Sequence, residues 1–245
     1  MNNIYPLTKF YFAIAISIIT ILMPTLMGKL MVFILINIIA VMLKTWVVFI
    51  KRILNSIFIL FLILLFIQTF FHPKGEILFS FWIFSAKKEG FLFALNLGLN
   101  IACIGGALIL FFTTTLAKDF VLSLEKAGMS YKASYVVLST LQMVPVLKKK
   151  SQTIMNAQKS RGVETEGGLF TRAKVFIPTI IPLVLSSIAG IEERAQTLEA
   201  RGFSSKIKHT YLHDIHKNKS DNIIEIIIAL SLIIVFIWRF LIWNA

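Results

Sequence analysis

Long stretches of this 245-residue chain carry no charged side chain, and several are apolar on every side. A soluble helix would instead alternate apolar and polar faces. Hydrophobic residues make up 57% of the sequence and charged residues only 15%, which is more apolar than an ordinary soluble domain. We therefore expect an all-α polytopic membrane protein with about five transmembrane helices.

Five intervals between charged residues approach the roughly 20 apolar residues that a membrane helix needs. They are Phe10 to Gly28, Leu30 to Ile50, Ile53 to Phe71, Gly90 to Ala117 and Asn222 to Trp238. The second interval contains Lys44, whose long side chain we expect to reach the membrane interface. The last contains Glu225 near its start.

Turn signals separate these intervals. Pro24 with Gly28 predicts a tight turn between the first two spans, and His72-Pro73-Lys74-Gly75 predicts the end of the third. The apolar stretch from Ile77 to Phe84 is too short to span, so we interpret it as an interfacial or re-entrant segment.

The interval from Gly90 to Ala117 contains Gly98, Ala102 and Gly106 at four-residue spacing. This spacing places small side chains on one helix face, where another helix is able to approach closely. Asn96 and Asn100 lie one turn apart in the same interval. We interpret them as partners in hydrogen bonds between helices, with a polar path through the membrane as the alternative.

The chain divides by charge into three parts: 1–117 with four membrane helices, 118–208 with a cytoplasmic helical segment, and 209–245 with a linker and the last membrane helix. Residues 118–221 hold 16 of the 25 basic and 9 of the 12 acidic residues. With the N-terminus inside, 20 basic residues are cytoplasmic and five are outside. This asymmetry favours a cytoplasmic central segment.

Two helices of about 30 residues are predicted in the central segment, each with an apolar first part and a charged second part. The first ends at Ser160-Arg161-Gly162 and the second at Ala200-Arg201-Gly202. A glycine after a helix and an arginine in its last turn are ordinary C-terminal caps. Two such ends in one chain also present two always-charged, planar guanidinium groups, which suit docking into acidic grooves of a partner. A sixth span at 175–191 is the alternative, but it weakens the charge asymmetry.

These features resemble the transmembrane T component of energy-coupling factor (ECF) transporters over essentially the whole chain. The paired small-Arg-Gly tripeptides are the most specific part of the resemblance. Thr113-Thr114-Thr115, Met143-Val144-Pro145 and Gly167-Gly168-Leu169 are also typical of that family. The first tripeptide has Ser160 where alanine is usual.

The resemblance implies a coupling subunit of an importer in a bacterial-type cell membrane. In this family two ABC ATPase subunits seat the arginine ends, and a small substrate-binding membrane subunit lies on apolar faces of the coupling helices. The docking residues carried over are Ser160, Arg161, Gly162, Ala200, Arg201 and Gly202. ATP hydrolysis would move the substrate-binding subunit for vitamin or metal-ion uptake. The sequence has no Walker A pattern, so we expect no catalytic site, no cofactor and ATP hydrolysis by the partners.

Other function classes fit the sequence less well. A conventional ABC permease shares docking through cytoplasmic helices but usually has one such helix per subunit. An intramembrane enzyme would need convergent polar groups in the spans. The net charge of +13 suits anionic lipid as well as nucleic acid, and we expect no nucleic acid. We interpret His209, His213 and His216 as part of a basic linker instead of a metal site, and Cys103 as a buried packing residue.

Overall fold

The computed structural model describes residues 4–71, 77–81, 84–163, 168–205, 211 and 215–244. These residues form helices and one antiparallel hairpin, which confirms the expected helical membrane architecture. The elements are α1 (Pro6–Leu22), α2 (Leu26–Met42), α3 (Trp46–Ile53), α4 (Ile59–Phe71), β1 (Ile77–Phe81), β2 (Phe84–Lys87), α5 (Lys88–Thr114), α6 (Ala117–Lys126), α7 (Tyr131–Ser160), α8 (Leu169–Ala200) and α9 (Lys219–Asn244).

Some sequence features lie outside the described residues. They are the His72-Pro73-Lys74-Gly75 turn, Gly167, and the linker residues Lys206, Lys208, His209 and His213. The segment interpreted as interfacial or re-entrant forms the β1–β2 hairpin, with Ser80 paired to Ser85.

The chain clusters into two compact units. Unit 1 contains residues 1–129 and 215–245, and therefore all the helices interpreted as membrane spans. Unit 2 contains residues 130–214, with α7 and α8.

Within the described residues, three helical stretches are long and apolar enough to cross a membrane: Trp46–Phe71, Lys88–Thr114 and Lys219–Leu241. The helices α1 and α2 are apolar and 17 residues long, about 25 Å at 1.5 Å per residue. That length is at the lower limit for a spanning helix. Neither α7 nor α8 is among the three candidate spans or the two shorter apolar helices.

The turn between α1 and α2 forms where the sequence predicts it. Pro6 begins α1, where its missing N–H is not needed, and α1 ends before Met23 and Pro24. The side chain of Thr25 then accepts a hydrogen bond from the Gly28 backbone N–H and caps α2. Gly28 lies inside α2, so the turn is made by the residues before it.

The second span was predicted from Leu30 to Ile50, and these bounds are wrong. Helix α2 ends at Met42, and Lys44 lies in the turn before α3 with a φ of 57°. The N–H of Lys44 bonds the Val41 carbonyl at 2.9 Å, and the N–H of Thr45 bonds the Ala40 carbonyl at 3.1 Å. This hydrogen-bond pattern closes a helix end on a left-handed residue. The apolar pattern of the interval does not reveal such a break, because a lysine stands where a glycine is usual.

A π-helical turn at Leu54–Phe58 joins α3 to α4 within one continuous helical stretch. This stretch packs against α5 where α5 has glycines. A Cβ built on Gly98 would lie 2.2 Å from the Phe61 ring, and one on Gly105 would lie 2.6 Å from Ile57. The prediction that small residues of α5 admit a close helix neighbour is confirmed.

The core of unit 1 lies among α1, α2, α3 and α5. Ile36, Ala40, Phe49 and Cys103 have no exposed surface, which confirms Cys103 as a buried packing residue. Asn96 accepts a hydrogen bond from the Lys29 ammonium, so its interhelical role is also confirmed. The buried Oδ1 of Asn100 has no hydrogen-bond partner among the described residues, so the same role is not confirmed for Asn100.

One end of unit 1 concentrates polar contacts between distant parts of the chain; we call it the polar end. The backbone N–H of Tyr5 donates to Asp221 at 3.1 Å, and the Tyr5 hydroxyl donates to the Ser123 carbonyl at 3.2 Å. Thr8 donates to Glu225 at 2.8 Å. These contacts hold α6 and the start of α9 against the start of α1.

Candidate functional site

The first arginine helix end closes α7. Arg161 is the C-cap residue, and Gly162 follows with a φ of 82°. The N–H of Gly162 bonds the Lys159 carbonyl at 2.9 Å, and the N–H of Val163 bonds the Gln158 carbonyl at 3.1 Å. These two bonds define a Schellman motif, which needs a left-handed residue at the glycine position.

The second arginine helix end has the same geometry at the end of α8. Arg201 is the C-cap residue, and Gly202 has a φ of 75°. The N–H of Gly202 bonds the Glu199 carbonyl at 2.9 Å, and the N–H of Phe203 bonds the Leu198 carbonyl at 3.0 Å. The two tripeptides therefore share one local structure as well as one sequence pattern.

A third helix end shows that this cap does not require arginine. Helix α6 ends with Ala127 at the C-cap and Gly128 at a φ of 119°. Its two closing bonds, Gly128 N–H to Glu125 and Met129 N–H to Leu124, measure 3.0 and 3.1 Å. The glycine therefore accounts for the shape of the cap, which forms without an arginine at the C-cap position.

Both arginines are accessible. All six residues of the two tripeptides are exposed. Among the described residues, neither guanidinium has a hydrogen-bond or ion-pair partner. Two charged, planar donor groups are thus available to an acidic partner surface.

The arginine ends lie at opposite ends of an antiparallel helix pair. Lys150 contacts the Ser186 carbonyl, and Gln158 contacts the Pro178 carbonyl, so positions rise along α7 as they fall along α8. At the other end, the Phe203 ring packs 4.8 Å from Tyr135, between ring centroids. A helix of 30 residues is about 45 Å long, which sets the scale of the separation between Arg161 and Arg201.

Apolar side chains remain uncovered along both helices. On α7 they include Val136 and Val144, and on α8 they include Ile177, Leu185 and Ile191, each more than 60% exposed. Exposed apolar surface of this extent marks a protein or membrane contact.

Sequence reasoning missed the contacts that pair the two helices. Gln158 has no motif around it, and Phe203 follows its tripeptide without a periodic pattern. One signal was available for Gln158: Pro182 has no N–H for the carbonyl four residues before it, so the Pro178 carbonyl needs another donor.

No cluster of metal-ligating side chains occurs in the part of the chain that the structure describes. Of the three linker histidines, only His216 is in that part.

The family model CbiQ, described as cobalt transport protein, matches residues 1–211. The chain belongs to the CbiQ family.

Curated relatives of this CbiQ-family chain are named energy-coupling factor transporter transmembrane protein EcfT. The relative from Leuconostoc gelidum is 34% identical over 179 residues, which cover 69% of this chain and 67% of the relative. The one from Brevibacillus brevis is 28% identical over 200 residues, covering 78% and 76%. The Staphylococcus aureus relative is 26% identical and covers 98% of this chain and 93% of its own length. The resemblance drawn from the paired tripeptides agrees with these names.

Proposed function

We propose that this CbiQ-family chain is the transmembrane coupling subunit of an ECF-type importer. Unit 1 anchors it in the membrane, and α7 and α8 transmit movement from two partner ATPases to a small substrate-binding membrane subunit. The transported substrate is a vitamin or a metal ion. The chain itself carries out no hydrolysis.

The observation that carries this proposal is the pair of equivalent arginine ends on one antiparallel helix pair. Each end has the same cap, the same exposed guanidinium, and a position remote from the other. A pair of ATPase subunits would offer two equivalent grooves. The two equivalent arginine ends, at opposite ends of the helix pair, would fill one groove each. Movement of the two ATPases relative to each other would then move one helix against the other.

The uncovered apolar faces of α7 and α8 support the second half of the proposal. A substrate-binding membrane protein that rests on these faces would cover residues such as Val144 and Leu185. Because helix movement displaces these faces, ATPase motion would reach the bound subunit directly.

Both arginine ends must face the cytoplasm for this mechanism to work. The predicted orientation places the N-terminus and unit 2 there, with 20 basic residues inside and five outside. This asymmetry follows the positive-inside rule.

Charge reversal tests the docking role. Arg161→Glu with Arg201→Glu should leave the tagged full chain inserted in the membrane but remove the two ATPases from the purified complex, as identified by their Walker A peptides. Removing one partner of a buried charge pair costs about 2 to 5 kcal/mol, so two reversals should dissociate the complex. Arg194→Glu is the matched control, because Arg194 is exposed on α8 away from its end. Full ATPase recovery with the double variant would refute docking through these ends.

Thiol accessibility tests the orientation. Cysteines placed at Ser160 and at Ala200 in a Cys103→Ala background should both be shielded from an impermeant reagent in intact cells. Both should react after the membrane is permeabilised in cells that produce this chain without the partner ATPases. Labelling of position 200 alone in intact cells would support the six-span alternative and contradict the coupling role.

A further inference from the structure

Unit 1 contains a cavity of about 240 Å³ at its polar end. It lies between the first part of α1, the last turn of α2 and the last part of α5. Its walls are mainly apolar and include Phe12, Ala13, Ile39, Leu43, Leu110 and Phe111.

A cation lies in the wall of this cavity. Lys9 lines it, and its ammonium donates to the Thr114 carbonyl at 3.1 Å. A second cation, Arg52, donates from Nη1 to the hydroxyl of the neighbouring Thr113 at 2.8 Å. Both cations thus contact adjacent residues in the last turn of α5, and the negative end of the helix dipole favours them there.

The two acidic residues near Lys9 do not line the cavity. Asp119 and Asp221 both interact electrostatically with Lys9. The two carboxylate oxygens of Asp221 already accept backbone N–H bonds from Tyr5 and Asn218. Arg52 does not line the cavity, whereas the Lys9 ammonium retains further N–H donors for a ligand, since an ammonium has three.

We propose that this cavity binds one phospholipid with an anionic headgroup. An acyl chain fills the apolar part, and the phosphate contacts the Lys9 ammonium. An apolar chain joined to an acidic head matches the apolar walls and the cation among them. The site binds lipid whether or not the chain couples to an ATPase.

A second groove in unit 1 provides an internal comparison. It has about the same volume, 250 Å³, lies between α1 and α9, and is lined by Ala15 and the carboxylate of Glu225. No cation lines it among the described residues. An anionic headgroup should therefore be selected only at the cavity that contains Lys9.

Native mass spectrometry of the purified full chain tests the proposal. Phosphatidylglycerol and phosphatidylcholine with identical acyl chains are titrated separately. We expect one phosphatidylglycerol to bind at least about tenfold more tightly than phosphatidylcholine. Both lipids have a phosphate, but only phosphatidylcholine also carries a choline cation, which the Lys9 ammonium repels. Inorganic phosphate should not compete, because it has no acyl chain.

Variants locate the lipid. Lys9→Gln should reduce the preference for phosphatidylglycerol, and Ala13→Leu should reduce binding of both lipids by filling the cavity. Ala15→Leu is the matched control, because Ala13 and Ala15 are both buried in α1, at 2% and 3% exposure, and Ala15 lines the other groove. It should leave binding unchanged.

Several results would overturn the proposal. Equal binding of the two lipids to the unaltered chain requires no variant and is sufficient by itself. Retained preference in Lys9→Gln, or equal losses in Ala13→Leu and Ala15→Leu, would also overturn it. If Ala13→Leu left lipid binding intact but weakened retention of a membrane partner, the cavity would belong to a protein side chain.

Discussion

The side-chain amide of Gln158 donates a 3.3 Å hydrogen bond to the carbonyl oxygen of Pro178. In an uninterrupted helix that carbonyl would accept the N–H of residue 182, but Pro182 has none. A residue of α7 therefore satisfies a backbone group that a proline of α8 leaves open. The contact also sets the antiparallel alignment that separates the two arginine ends.

Gln158→Leu should destabilise the pairing of α7 and α8 by about 1 kcal/mol, because the Pro178 carbonyl loses its donor in a partly buried place. Pro182→Ala restores a backbone N–H for that carbonyl, so the same Gln158→Leu change should then cost much less. Chemical unfolding of the full chain in detergent, followed as a double-mutant cycle, measures the difference. Gln152→Leu, at an exposed position of α7, is the control. Additive effects of Gln158→Leu and Pro182→Ala would contradict this explanation.

Lys44→Gly should stabilise the protein by about 1 kcal/mol, because a left-handed backbone costs roughly that much for a residue with a Cβ. Thermal unfolding in detergent measures the change. Lys51→Gly is the control and should change stability in the opposite direction. Lys51 is within α3, where glycine lowers the stability of a helix by about 1 kcal/mol. A loss of stability with Lys44→Gly would show that the lysine side chain has its own stabilising contact.

Gly98→Ala and Gly106→Ala should have opposite effects. The new methyl group at position 98 would lie 2.2 Å from the Phe61 ring, and such overpacking typically costs about 1 to 3 kcal/mol. At position 106 the nearest atoms are 3.7 Å away, so alanine should fit and gain up to about 1 kcal/mol of helix propensity. Unfolding in detergent ranks the two variants. Equal stability would contradict the close approach of α4 to α5.

Stability measurements should distinguish the role of the glycine from the role of the arginine at the two helix ends. Gly162→Ala and Gly202→Ala should each cost about 1 kcal/mol, because each glycine has a positive φ. Arg161→Ala and Arg201→Ala should change stability by less than about 0.5 kcal/mol, as exposed substitutions usually do, yet weaken retention of the ATPases. Thermal unfolding and co-purification are measured on the same preparations. If Arg161→Ala destabilised the chain as much as Gly162→Ala, the arginine would belong to the cap.

The membrane helices were largely predictable because lipid imposes a simple rule on sequence: a spanning helix must be apolar along about 20 residues. Gly98 and Gly106 were also recognised, since a helix repeats its faces every three to four residues. Lys44 was misplaced because its helix end depends on backbone hydrogen bonds that a lysine accommodates without a glycine or proline signal.

The sequence by itself determined the helical membrane class, the two helices of unit 2 and the paired tripeptides, because these depend on local composition and on spacing within one helix. Only the tertiary structure decided that Arg161 and Arg201 lie at opposite ends of an antiparallel pair. It also decided that Gln158 donates a hydrogen bond to the Pro178 carbonyl and that Lys9 lines an apolar cavity. Those relationships join residues that are distant in the chain, and their energies arise only when packing brings the partners together.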